Sequence, residues 1–292
     1  VALTELLLKE RPDIVDSLYP SESSFIPSIK DGSKKVLELH FNKYFRLQYG
    51  RHGLLGLSDR LRTRQDEKIV RKFDSFVVLT EEDKGYWGKL PNIETIPNAA
   101  ITTEASRSDC TAHRVIAVGR LDYQKGFDRL IEAWSIVKED SEYSDWQLDI
   151  FGQGEWKDML ERMIQEKGLG DSAHINRPTN DIWNEYARSS MLVMSSHFEG
   201  LPMVLIEAMT CGLPAVTFDF KCGPKDIIED GKNGLLVPEG NVQALAEAMK
   251  RLMSDESLRR KMGTEALKIK EKYAEEAVMS RWIQLFKRLT LK

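Results

Sequence analysis

From residue 112 onward, short apolar runs alternate with stretches whose apolar residues recur at helical spacing. This is the pattern of βαβ units around a parallel sheet. RVIAVG (114–119), WQLDIFG (146–152), AHIN (173–176), MLVMSS (191–196), AVTFDF (215–220) and GLLVP (234–238) read as strands. FDRLIEAWSIVKE, EWKDMLERMIQEKG, DIWNEYARSS and VLIEAMTCG read as the helices between them, two of them closed by Gly. After about residue 241 the pattern is wholly helical. The first half carries fewer units, with strands expected at DIVDSL (13–18), KVLELH (35–40), FVVLT (76–80) and NIETIP (92–97). A six-stranded Rossmann-type sheet needs more, so its first strands are expected to be absent from this chain. The opening VALTELLLKERPDIVDSL, without an initiator Met, reads as the latter part of a helix running into a strand.

Between the halves, PNAAITTEASRSDCTAH (97–113) is polar, weakly periodic and of linker composition. The expected domains are therefore 1–97, a linker at 98–112, a second domain at 113–272, and a last helix at 273–292 that packs back on the first domain.

Composition narrows the function classes. With 41% hydrophobic and 30% charged residues the chain is an ordinary globular protein, and its net charge of −4 gives no overall attraction to nucleic acid. Three cysteines without CxxC spacing, Cys110, Cys211 and Cys222, argue against a disulfide framework or a structural zinc site and fit a reducing cytoplasm.

Parallel α/β sheets bind ligands at the carboxyl ends of their strands, and the unusual residues gather there. Arg120 follows the first strand of the second half directly, and Lys125-Gly126 precedes its helix. Two cations beside a helix N-terminus can hold a phosphate; alternatively the two pair with Asp122 and Asp128 on the surface. HFEGLPMVLIEAM (197–209) places Glu199 in a loop and Glu207 inside the following helix, with Pro202 suited to its first turn. Two carboxylates beside bound anions suit neutral hydroxyls, one set from a sugar and one from a ribose. The alternative is that Glu199 caps the helix and Glu207 pairs with a lysine. IFGQGEW (150–156) lacks the third glycine of a dinucleotide fingerprint and reads as a tight turn lining the cleft, which argues against an NAD-dependent dehydrogenase. Gly223-Pro224-Lys225-Asp226 reads as hairpin and loop punctuation.

VGRLDYQKGFDRLIEAW, IFGQGEW, SSHFEGLPMVLIEAMTCGLPAV and CGPKDIIEDGKNGLLVPEGN, in this order, resemble the C-terminal domain of family-4 retaining glycosyltransferases of the GT-B fold. LLLKERPDIV, KVLELHF and FVVLTEEDK resemble the later strands of that family's N-terminal domain. The likeness is strongest to bacterial transferases of capsule, lipopolysaccharide and other lipid-linked glycans. It implies an α/β chain of two Rossmann-like domains facing each other across a cleft, the first incomplete. It implies Arg120 and Lys125 on the donor diphosphate, with Gly119 beside them. Glu199, with Gly200, Leu201 and Pro202, would hold the transferred sugar, Glu207 the ribose, and His40 would stand near the sugar and the acceptor. For His40 a purely structural role is the alternative, and His197 is taken as structural. The family's N-terminal glycine-rich loop has no counterpart here. The implied donor is a nucleotide-diphosphate sugar, UDP favoured, with no metal, and the implied acceptor a glycan or lipid-linked glycan. A non-catalytic nucleotide- or glycan-binding module and a nucleotide-sugar epimerase remain open.

One region bears on location. Residues 34–72 hold eleven Lys or Arg against four Asp or Glu, interleaved with Phe41, Tyr44, Phe45, Tyr49, Leu54 and Leu55. This reads either as a patch for an anionic membrane surface, peripheral at the inner face of the cell membrane, or as a solvated helix face above a core stripe.

Overall fold

The computed structural model describes residues 2–19, 22–48, 52–101 and 107–291, which form two units. Unit 1 contains residues 1–99 and 275–292, and unit 2 residues 100–274. Tyr49 and Arg51 of the basic region, and 102–106 of the polar connection, lie outside the described residues. Among the described residues no helix is long and apolar enough to cross a membrane.

Unit 1 begins with α1 (Ala2–Glu10) and β1 (Ile14–Leu18), followed by β2 (Lys34–Leu39) and α2 (Gly53–Val70). Then come β3 (Ser75–Val78), α3 (Glu81–Trp87) and β4 (Ile93–Thr95). The four strands form one parallel sheet in the order β1-β2-β3-β4. Side chains alternate across a strand, so β2 and β3 divide their apolar residues between two cores. Leu37, Leu39, Phe76 and Val78 pack with Val70, Trp87 and Ile93 on one face. Val36 and Val77 face Ile96, Val278 and Leu285 on the other. The last two come from α12 (Glu275–Thr290), whose Trp282 and Phe286 complete that layer.

Unit 2 alternates strictly. Its order is β5 (Arg114–Val118), α4 (Phe127–Lys138), β6 (Gln147–Phe151), α5 (Lys157–Glu166), β7 (Ala173–Asn176) and α6 (Ile182–Ala187). It continues with β8 (Met191–Met194), α7 (Met203–Thr210), β9 (Ala215–Phe218), α8 (Pro224–Ile227) and β10 (Gly234–Val237). It ends in α9 (Val242–Ser254), α10 (Glu256–Ala266) and α11 (Lys270–Tyr273). The sheet is wholly parallel, in the order β10-β9-β8-β5-β6-β7. Helices on both faces bury strands that are apolar throughout, as at Met191–Met194 and Ala215–Phe218. α4 buries Phe127, Leu130, Ile131, Trp134 and Val137, an i, i+3, i+4, i+7 stripe. The order reverses between β5 and β8, and there the crevice opens at the carboxyl ends of the strands.

Three expectations change. Residues 107–112 are not a free connection: the Ser108 amide donates to Cys211 O at 2.8 Å and the Arg259 Nε to Cys110 O at 3.1 Å, fixing them to unit 2. Gly223-Pro224-Lys225-Asp226 is not hairpin punctuation, because Pro224 opens the one-turn helix α8 and β10 joins the sheet in parallel. Pro202 stands at the N-cap of α7, one residue before the helix.

Candidate functional site at the reversal of the sheet

Two loops meet at the crevice, one after β5 and one after β8. The first is tightened by a 3-10 turn at Tyr123–Lys125, whose Asp122 side chain accepts from the Lys125 amide. Gly126 ends this turn at φ 60°, and a Cβ there would come within 2.4 Å of Ser195 O. Only glycine lets the loops approach so closely. They are also stitched together: the His197 amide donates to Gln124 O at 2.8 Å and the Ser195 hydroxyl to Lys125 O at 3.0 Å.

This stitching sets the side chains. Lys125 Nζ lies 2.7 Å from Glu199 Oε1, with the two side chains 15% and 8% exposed. The Ser196 hydroxyl donates to the same oxygen at 2.8 Å. Gln124 Nε2 donates to Glu199 Oε2 at 3.0 Å and to Phe198 O at 3.1 Å. Gln124 Oε1 in turn accepts from Arg120 at 3.0 Å, and Asp122 lies 3.2 Å from the same guanidinium. Arg120, Gln124, Glu199 and Lys125 are thus one connected network. The surface-pair alternative holds for Arg120 with Asp122 but not for Lys125, which turns inward to Glu199 instead of Asp128.

Glu207 belongs to the same neighbourhood. The fully buried Tyr186 hydroxyl donates to its carboxylate at 3.3 Å. Burial pushes the Glu207 carboxyl above its ordinary range, opposed by the Tyr186 hydrogen bond and by the charge of Lys125. Its partner is therefore a tyrosine, not the lysine pair considered from sequence. A cavity of about 380 Å³ runs from Gly119 and Arg120 past Phe151, Pro178 and Ile182 to Glu207. Its floor is the IFGQGEW turn: a Cβ on Gly152 would sit 2.0 Å from Gly119 O, so the two strand ends touch through backbone. Gly200, Leu201 and Pro202 lead from Glu199 into α7, whose first backbone bond runs from the Leu205 amide to Pro202 O at 3.0 Å and leaves the amides ahead of it for a ligand.

The chemistry available follows directly. An ammonium with spare donors, an exposed guanidinium and helix first-turn amides suit an anion, while Glu199 and Glu207 suit hydroxyls. The apolar walls at Phe151, Pro178 and Ile182 suit a flat ring. His40 belongs to unit 1, just after β2, its Nε2 2.9 Å from Glu38 Oε2. His197 stacks on Tyr123 with centroids 4.2 Å apart. Sequence reasoning missed Gln124, Ser196 and Tyr186. Gln124 alone carried a positional signal, one residue before Lys125.

The sequence profile described as "Glycosyl transferases group 1" matches residues 101–269, more than half of the chain. An amylovoran biosynthesis glycosyltransferase, AmsD, of Erwinia amylovora is 33% identical over 272 residues, covering 87% of this chain and 75% of that protein. An exopolysaccharide phosphotransferase of Streptomyces coelicolor is 37% identical over 222 residues, 74% of this chain but 23% of that protein. The crystal structure of an S. aureus TarM mutant in complex with fondaparinux, alpha-GlcNAc-glycerol and UDP superposes with a TM-score of 0.79 at 25% identity, covering 97% of this chain and 58% of that one. The chain thus spans well under two thirds of two of these three relatives. Two parallel-sheet units, the switch-point network and these matches agree: the chain belongs to the glycosyl transferases group 1 family and has its GT-B fold.

Proposed function

We propose that unit 2 binds a nucleotide-diphosphate sugar, a UDP-sugar, and that the protein transfers the hexosyl residue with retention to a glycan or lipid-linked acceptor. The pathway in this reading is bacterial surface polysaccharide synthesis at the cytoplasmic face of the membrane, where an anionic surface would lie close by. The observation that carries the reading is the network Arg120–Gln124–Glu199–Lys125, because a site that merely held nucleotide would need no buried carboxylate beside its ammonium. The UDP of the TarM complex and the amylovoran biosynthesis named for AmsD support the choice of donor and pathway.

Glycosyl transfer moves negative charge onto the departing diphosphate and positive charge onto the sugar. Arg120, Lys125 and the first-turn amides of α7 aim positive potential at the diphosphate, so the reading requires no metal ion. In this reading Glu199 accepts hydrogen bonds from the sugar hydroxyls and Glu207 from the ribose. Gly119, Gly200, Leu201 and Pro202 line the donor, and His40 meets the sugar and acceptor from unit 1.

Calorimetric titration with UDP and a panel of UDP-hexoses tests the reading. One UDP-hexose should bind more tightly than UDP, and acceptor addition should release UDP. No heat with any nucleotide sugar, or UDP release independent of acceptor, would refute it.

A further inference from the structure

Glu207 is the sole charged residue of α7, set in the run MVLIEAMT with Leu205, Ile206, Ala208 and Met209 buried on either side of it. A carboxylate so placed is costly unless donors or cations face it. The Tyr186 hydroxyl faces it from α6, the Lys125 ammonium from the loop after β5, and the Cys211 thiol from the end of its own helix, while Arg120 lines the same cavity. Lys125 acts through its charge alone, because its ammonium sits on Glu199. Among the described residues, Tyr186 alone hydrogen-bonds the Glu207 carboxylate.

The direction of that bond is fixed. Burial and the charge of Glu207 push the Tyr186 hydroxyl well above its ordinary range, so it keeps its proton, and an ionised carboxylate can only accept. The tyrosine is held in turn. It is fully buried, with Trp183 edge-on to its ring at 6.0 Å. Its neighbour Glu185 lies 2.6 Å from Arg114 of β5, and the same guanidinium reaches Asp149 of β6, which ties α6 to the sheet. One turn earlier, α6 supplies Ile182 to the cavity wall. A single short helix therefore carries both an apolar wall for a flat ring and the donor to Glu207.

We propose that Tyr186 is the positioning residue for ribose recognition: its hydroxyl occupies Oε2 of Glu207 and leaves Oε1 to take the 2′-hydroxyl of the donor's ribose. Tyr186 touches no substrate itself; it sets the preference for ribose over deoxyribose by holding the carboxylate ionised and in one orientation. The inference deepens the donor reading above and rests on its assignment of Glu207 to the ribose.

The test is calorimetric titration of the full chain with UDP and with 2′-deoxy-UDP across pH, for wild type, Tyr186→Phe, Glu207→Gln and the double variant. The two ligands share base and diphosphate, so their affinity ratio reports the 2′-hydroxyl and cancels the titration of the phosphates. Wild type should prefer UDP by about tenfold or more, the size of a hydrogen bond to a charged group. Tyr186→Phe, which removes one oxygen and keeps the ring, should lose most of that preference. What preference it keeps should fall away at a higher pH than in wild type, because the lost bond favoured the ionised carboxylate. In the Glu207→Gln background the same substitution should change the ratio by less than about twofold. A tyrosine that served only the fold would instead lower both affinities together. A ratio and pH profile unchanged in Tyr186→Phe, or an equal change with Glu207→Gln already present, would overturn the proposal. Absence of UDP binding in wild type would overturn the donor reading along with it, whereas a UDP preference lost in Glu207→Gln and kept in Tyr186→Phe overturns this inference alone.

Discussion

Replacing Glu199 with alanine separates the two roles of Lys125. In the free protein the ammonium is 2.7 Å from Glu199 and its side chain is 15% exposed, so the substitution leaves a largely desolvated charge without its carboxylate. Breaking a buried pair by removing one member costs ~3–5 kcal/mol, and the partial opening of Lys125 places this site near ~3 kcal/mol. For a unit of this size a loss of that magnitude lowers the transition by roughly 6–12 °C. UDP should compensate, because its diphosphate can take the place of the lost carboxylate. At a hundredfold excess over Kd, ligand contributes ~2.7 kcal/mol, which restores most of the deficit. Differential scanning fluorimetry of Glu199→Ala, Lys125→Ala and the double variant, each with and without UDP and UDP-hexose, reads all of this. The double variant should be less destabilised than the sum of the singles, because the pair is coupled. The preference for UDP-hexose over UDP should vanish in Glu199→Ala while UDP still stabilises it. A transition lowered by less than about 2 °C, or a loss of UDP stabilisation in Glu199→Ala, would refute the assignment of Glu199 to the sugar and Lys125 to the diphosphate.

Arg120 should behave in the opposite way. With its side chain 68% exposed, Arg120→Ala should change stability by ~0–1 kcal/mol yet lower turnover by roughly 10²–10³, as measured by UDP release with acceptor. Glu207 gives a pH signature. Its carboxyl is held above the ordinary range chiefly by burial, so the folded protein binds that proton more tightly than the unfolded chain. The ionised form therefore subtracts stability above the folded value, and the penalty fades as pH falls into the ordinary carboxylate range. UDP affinity should run the other way, weakening as pH falls through the raised value because the ribose acceptor is lost. Glu207→Gln should bind weakly with no such dependence, and calorimetry across pH distinguishes the two.

The strands were legible because a parallel sheet covered on both faces demands unbroken apolar runs. All ten lie within a residue or two of where the runs place them, Ala173–Asn176 coinciding at both ends. The turn at Gly126 was legible for a related reason, since close loop approach restricts the residue allowed, whereas the paired glutamates stood out only through the resemblance of their motif and, taken singly, read equally as a helix cap and a lysine partner. What escaped was partner choice. Nothing in the spacing of Lys125 distinguishes Asp128, three residues on, from Glu199, 74 residues on, because the choice depends on the two loops being stitched through Ser195 and His197. The burial of Asp66 in α2 was hidden likewise, because its partners Tyr19 and Arg46 lie 47 and 20 residues away along the chain.

The return of α12 to unit 1 has a consequence for synthesis. Residues 100–274 form unit 2 as one unbroken stretch, so it has everything it needs before α12 exists. Unit 1 does not: Val36, Val77 and Ile96 await Val278 and Leu285. At ~5–20 residues per second, the ribosome takes roughly 10–35 s to add the intervening 175 residues (274 − 100 + 1). Throughout that interval one face of the nascent first sheet stays bare, and shielding by a chaperone matters most there.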